Sequence, residues 1–149
     1  MENMCERLGA DISLLKFEWG KTADIDSIKN NLDKNSYDIV AVVHAETSTG
    51  VRNDIEQISQ YIDGDTIFIV DAVTSLGTID VNVDACKIDA IYSCSQKGLS
   101  CPPGASPISF SSCPSFILVL AAANFTIPSA RTRGCGIVSP PILKFSNER

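Results

Sequence analysis

The chain has 149 residues, 44% apolar and 20% charged, with a net charge of −6 and a pI near 4.6. That is enough for one hydrophobic core, too little for a typical two-domain enzyme, and the composition of a globular rather than a disordered protein. The acidic balance argues against unassisted binding to nucleic acid or acidic membrane, and no stretch approaches the roughly 18 uninterrupted apolar residues of a spanning helix.

Taken in chain order, Ala10 to Leu15 reads as a short strand and Asp24 to Leu32 as a helix with Asp24 near its N-terminus. Asp38-Ile39-Val40-Ala41-Val42-Val43-His44 is a nearly continuous apolar run between polar residues, the pattern of a strand buried on both faces of a parallel sheet. Val51, Ile55, Ile58 and Ile62 recur at helical spacing, predicting a helix from Val51 to Ile62 with Gly64 as its terminator. Thr66-Ile67-Phe68-Ile69-Val70 is the next strand, completing a strand–helix–strand unit, and Asp89 to Ser93 and Pro107 to Ser111 are two more. The fold class is therefore α/β, a mostly parallel sheet with flanking helices. From Ser112 to Arg149 no period is evident; Arg131-Thr132-Arg133-Gly134-Cys135-Gly136 and Pro140-Pro141 read as loop or tail.

The six cysteines form no CxxC pair, and the single histidine, His44, argues against a zinc site; no metal is expected. Reduced thiols fit a cytoplasmic compartment, and the charged start, Met1 to Arg7, lacks the form of a secretory signal. In open α/β sheets, ligands sit beyond the carboxyl ends of the strands. The loops leaving those ends are His44 to Gly50, Asp71 to Gly77 and Ser93 to Gly98, all rich in hydroxyls, amide or charge. Two of them carry a lysine, Lys97, and a carboxylate, Asp71, each just past an apolar run. That is the arrangement a pyridoxal phosphate enzyme needs: an amine to hold the cofactor aldehyde as a Schiff base, and a carboxylate to keep the pyridine nitrogen protonated.

Four strings stand in register: His44-Ala45-Glu46-Thr47-Ser48-Thr49-Gly50-Val51, Val70-Asp71-Ala72-Val73-Thr74-Ser75-Leu76-Gly77, Tyr92-Ser93-Cys94-Ser95-Gln96-Lys97-Gly98, and Pro102-Pro103-Gly104 running on to Ser111. With them, from about residue 5 to residue 111, the chain resembles the class V aminotransferases, and most closely the alanine–glyoxylate (serine–pyruvate) branch. The resemblance implies a fold type I large domain and pyridoxal 5'-phosphate as cofactor. It implies small amino-acid and 2-oxo-acid substrates and a homodimer; members of the family occur in the cytoplasm, peroxisomes and mitochondria. Position by position, Lys97 matches the Schiff-base lysine and Asp71 the partner of the ring nitrogen. Val73 matches the residue packing on the ring face, Thr47 the hydroxyl near the ring oxygen, and Gln96 a contact to the cofactor phosphate.

The chain also departs from the pattern. The family's phosphate cup, its ring-stacking aromatic and its carboxylate-gripping arginine have no counterpart here; Trp19, Arg131 and Arg133 lie outside those motifs. Residues 1–111 therefore read as part of a cofactor-binding large domain, and residues 112–149 as a non-homologous, loosely packed tail of a truncated product. A non-catalytic fragment and another class V reaction, such as a phosphonate-linked transamination, are the competing readings.

Overall fold

The apolar runs pair side by side into one sheet. The computed structural model describes residues 2–7, 9–111 and 117–120. Within them the strands β1 (Ile39–Val43), β2 (Ile67–Asp71), β3 (Ala90–Tyr92), β4 (Ala105–Phe110) and β5 (Ile117–Leu120) lie in the order β1-β2-β3-β4-β5. The first three run parallel, and β4 is antiparallel to both its neighbours. Helices α1 (Glu2–Arg7), α2 (Ile25–Leu32) and α3 (Ile55–Ser59) complete the described elements. None of these helices is long and apolar enough to cross a membrane.

Side chains alternate between the two faces of a strand. Val40 and Val42 of β1, Phe68 and Val70 of β2 and Ile91 of β3 share the face that packs on Ile28 of α2 and on Ile55 and Ile58 of α3. The other face is thinly covered. There Ile39 and Ile69 meet Cys5 of α1 together with Ala10 and Ile12, and Ile67 stays exposed. Burial on both faces, expected from the apolar run of β1, is thus reached at Ile39 while Val40 to Val43 remain half-buried. β1 is an edge strand, and a groove of about 290 Å³ runs along it, lined by Ile12, Leu14, Phe17, Ile28 and Leu32 among others.

Helix α2 starts where expected: the Asp24 carboxylate accepts the Ser27 N–H at 2.9 Å and caps the helix. The helix expected over Val51 to Ile62 is shortened to Ile55–Ser59, because the polar groups before it are already engaged. The Val51 carbonyl accepts the Glu46 N–H at 2.9 Å, Arg52 bridges to Ala45, and Asp54 supplies the cap by accepting the Gln57 N–H at 2.9 Å. Ile62 still packs on the core, from a turn rather than from the helix, and Gly64 is not its terminator.

The strand expected at Ala10 to Leu15 does not form. Ile12 packs inward, but Leu14 and Leu15 are exposed, and Ser13 is tied to Tyr37 by a hydroxyl–hydroxyl hydrogen bond of 3.1 Å. β4 begins two residues before the expected Pro107, and β5 corrects the reading of the tail at four residues. Ile117–Leu120 pairs with Ala105 to Ile108, where an apolar segment can satisfy the open backbone of an edge strand. The remaining tail residues lie outside the described ones.

Candidate active site

β1, β2 and β3 end level with one another. In register, Val43 stands beside Asp71 and Asp71 beside Tyr92, so the three following loops leave one rim of the sheet. Asp71 is the last residue of β2, and alternation puts its side chain on the thinly covered face. Both carboxylate oxygens are held: Oδ1 accepts the Val73 N–H at 2.9 Å and Oδ2 accepts the Tyr92 hydroxyl at 2.8 Å. Burial, followed by the hydrogen bond and the charge of Asp71, pushes the Tyr92 phenol well above the ordinary tyrosine range, so it remains a donor.

The loop after β3 is folded by its own serines. Buried Ser93 donates to the Ala72 carbonyl at 3.0 Å, and Ser95 Oγ donates to the Pro102 carbonyl at 2.7 Å. Ser95 also bonds through its backbone to Ala105 and Cys101, so it braces the loop rather than facing a ligand. Gln96 and Lys97 are left exposed at the loop tip, where the Lys97 carbonyl accepts the Ser100 N–H at 2.9 Å.

Two contacts bring the loops together, and a longer-range charge interaction accompanies them. Thr47 and Thr74 share a hydroxyl–hydroxyl hydrogen bond of 2.5 Å, joining the loop after β1 to that after β2. The Glu46 carboxyl is held below its ordinary value, first by hydrogen bonds from Ser48 and further by the positive charge of Lys97. Finally, Gly98 packs against the backbone of the Asp71 loop. A Cβ there would fall on the Leu76 carbonyl oxygen and lie 2.6 Å from that of Thr74. Because both obstacles are backbone, Gly98→Ala is expected to cost on the order of 1–3 kcal/mol, the usual range for overpacking. Thermal unfolding should show a midpoint lowered by several degrees; an unchanged midpoint would mean the loops part without cost.

Of the residues singled out in the sequence, Asp71, Val73 and Thr47 are thus tied into one cluster, with Lys97 and Gln96 on the adjoining loop tip. Sequence reasoning passed over Thr74, Gly98 and the Tyr92 hydroxyl. All three stand inside the quoted strings, and the role of Tyr92 emerges once Asp71 and the end of β3 are set in register. The apolar groove beside β1 is elsewhere and includes neither Lys97 nor Asp71.

His44, at the end of β1, is 3% exposed, and its Nδ1 has no hydrogen-bond partner among the described residues. Burial lowers its basicity below the ordinary 6.5; Arg52 adds to this, and Glu56 and Asp54 oppose it. The unfolded chain therefore takes up this proton first. Stability from this group is complete above the ordinary value and falls as pH drops below it. The urea midpoint should decrease between pH 7.5 and pH 5.5, and His44→Leu should shrink that decrease; an equal decrease in the variant would refute the account.

The strings that carry the resemblance to the class V aminotransferases thus meet on one rim of the sheet, and comparison with known proteins shows the family. The chain belongs to the family "Aminotransferase class-V", which it matches over residues 1–113. It is 40% identical over 111 residues to the (S)-ureidoglycine–glyoxylate transaminase of Bacillus subtilis, covering 74% of this chain and 27% of that protein. It is 38% identical over 108 residues to the serine–glyoxylate aminotransferase of Methylorubrum extorquens, with 68% and 27% covered. Among solved structures, the alanine–glyoxylate aminotransferase of Nostoc sp. superposes with a TM-score of 0.69 at 42% identity, covering 74% of this chain and 29% of that one. The fold is part of a fold type I domain, and the chain spans little more than a quarter of the length of these relatives.

Proposed function

We propose that this rim is the cofactor-binding and proton-transfer part of a transaminase that passes an amino group from a small amino acid, alanine or serine, to glyoxylate or pyruvate. The observation that carries it is the convergence of Lys97, Asp71 and Thr47 on loops locked together through Thr74 and Gly98. Names that include glyoxylate recur among the relatives with differing amino donors, which favours glyoxylate as acceptor.

The donor set suits pyridoxal 5'-phosphate. Each oxygen of Asp71 accepts one hydrogen bond, and a carboxylate has lone pairs for more. Lys97 would hold the aldehyde carbon through Nζ, and Asp71 would hold the proton of the ring nitrogen. Thr47 would lie near the ring oxygen, Val73 against the ring face and Gln96 near the phosphate. When bound, the cofactor supplies an electron-withdrawing ring that accepts the electron pair left at Cα. Once the substrate amine has displaced Lys97 from the aldehyde carbon, Lys97 Nζ would take the proton from the substrate Cα as general base and deliver it to that carbon as general acid. Residues 1–111 form this part of the domain, and in the complete enzyme two copies would assemble.

The test is a titration of the purified chain with pyridoxal phosphate, followed by borohydride reduction and peptide mapping. A near-violet absorbance band and an adduct concentrated on Lys97 are expected. An adduct spread evenly over several lysines would refute the role of Lys97.

A further inference from the structure

Asp71 and Tyr92 are 21 positions apart in sequence and neighbours across the parallel pair β2–β3. Their side chains leave the same face, so the phenol reaches sideways to Oδ2 at 2.8 Å. On the far side of the carboxylate, the Val73 N–H holds Oδ1 at 2.9 Å. Two donors on different oxygens stop the carboxylate from turning about its Cβ–Cγ bond, and both hydrogen bonds favour its charged form. The Val73 bond is the local turn that follows Asp71, whereas the Tyr92 bond comes from the strand that leads into Lys97. Tyr92 is half-buried, and its phenol donates to Asp71.

We propose that Tyr92 is a positioning residue for the cofactor: it orients the Asp71 carboxylate and holds it ready for the protonated ring nitrogen. This rests on the cofactor reading above and adds a residue to it. It also links the two halves of the site, since the strand that delivers Lys97 braces the carboxylate opposite. Tyr92 acts through Asp71, so its influence must disappear when the ring nitrogen or the carboxylate is removed.

Three measurements on the full chain test this. Tyr92→Phe keeps the ring and removes the hydroxyl; affinity for pyridoxal phosphate should fall about tenfold, the scale of one hydrogen bond to a charged group. Affinity for the carbocyclic analogue, with C–H in place of the ring nitrogen, should not change. In an Asp71→Asn background, Tyr92→Phe should add little, because the two substitutions remove one interaction. Equal losses for cofactor and analogue, or full additivity with Asp71→Asn, would reduce Tyr92 to a packing residue and overturn the proposal. Unchanged cofactor affinity in Tyr92→Phe, with the adduct still on Lys97, would overturn it while leaving the cofactor reading intact. Absence of an adduct on Lys97 in the unmodified chain would overturn both.

Discussion

The 149-residue polypeptide, given pyridoxal phosphate, is expected to form no pyruvate from alanine and glyoxylate above the level of its Lys97→Ala variant. The rim supplies an amine and a buttressed carboxylate, and these address the cofactor. Grip on the substrate is a separate requirement, and none of the strings that carry the family resemblance supplies an arginine assigned to the substrate carboxylate. The chain spans 27% of the ureidoglycine–glyoxylate transaminase it resembles. An unoriented substrate forfeits on the order of 7–11 kcal/mol where proximity is the main term. That is roughly five to eight orders of magnitude in rate, below ordinary detection. The assay is coupled pyruvate formation with the Lys97→Ala chain as blank. Turnover clearly above that blank would show that residues 1–149 suffice for orientation.

Asp71→Asn is expected to weaken pyridoxal phosphate binding by roughly ten- to a hundredfold, the scale of a hydrogen bond to a charged group. The size follows from the two donors already on the carboxylate. An amide offers one oxygen, so it can accept the Val73 N–H or the Tyr92 hydroxyl but not both in their present geometry. Its NH₂ end would then face a donor and could not receive the proton of the ring nitrogen. The fold should tolerate the change, since the phenol can turn its hydrogen elsewhere and accept instead. Absorbance titration measures the binding, and urea unfolding checks the fold. Unchanged affinity would remove Asp71 from the site; affinity lost together with the folded state would make it structural.

Much of the scaffold was legible in the sequence because its signals are local. β1 and β2 are short apolar runs between polar residues, although the depth of burial of β1 was set by its place at the edge of the sheet. Asp24 announces α2 because a carboxylate three residues before a backbone N–H can cap it. Lys97 and Asp71 were found because both follow such runs. The failures have an equally definite cause. Val51 has the spacing of a helical stripe, yet its carbonyl is claimed by Glu46, a contact visible only once the loop after β1 folds back. Ala10 to Leu15 is apolar enough for a strand but lacks a backbone partner along β1, and a strand exists only through pairing.

By itself the sequence determined the α/β class, the parallel β1–α3–β2 unit, and the three polar loops that carry Thr47, Asp71 and Lys97. It did so because apolar periodicity and strand-end chemistry are written within a few consecutive residues. Tertiary structure alone decided which residues act on one another across those loops. The register that sets Asp71 beside Tyr92, the threonine pair that ties Thr47 to Thr74, and the close approach that excludes a side chain at Gly98 each join residues 21 to 27 positions apart. Such contacts depend on how strands align and loops stack, and a one-residue slip in pairing would turn either side chain to the other face of the sheet.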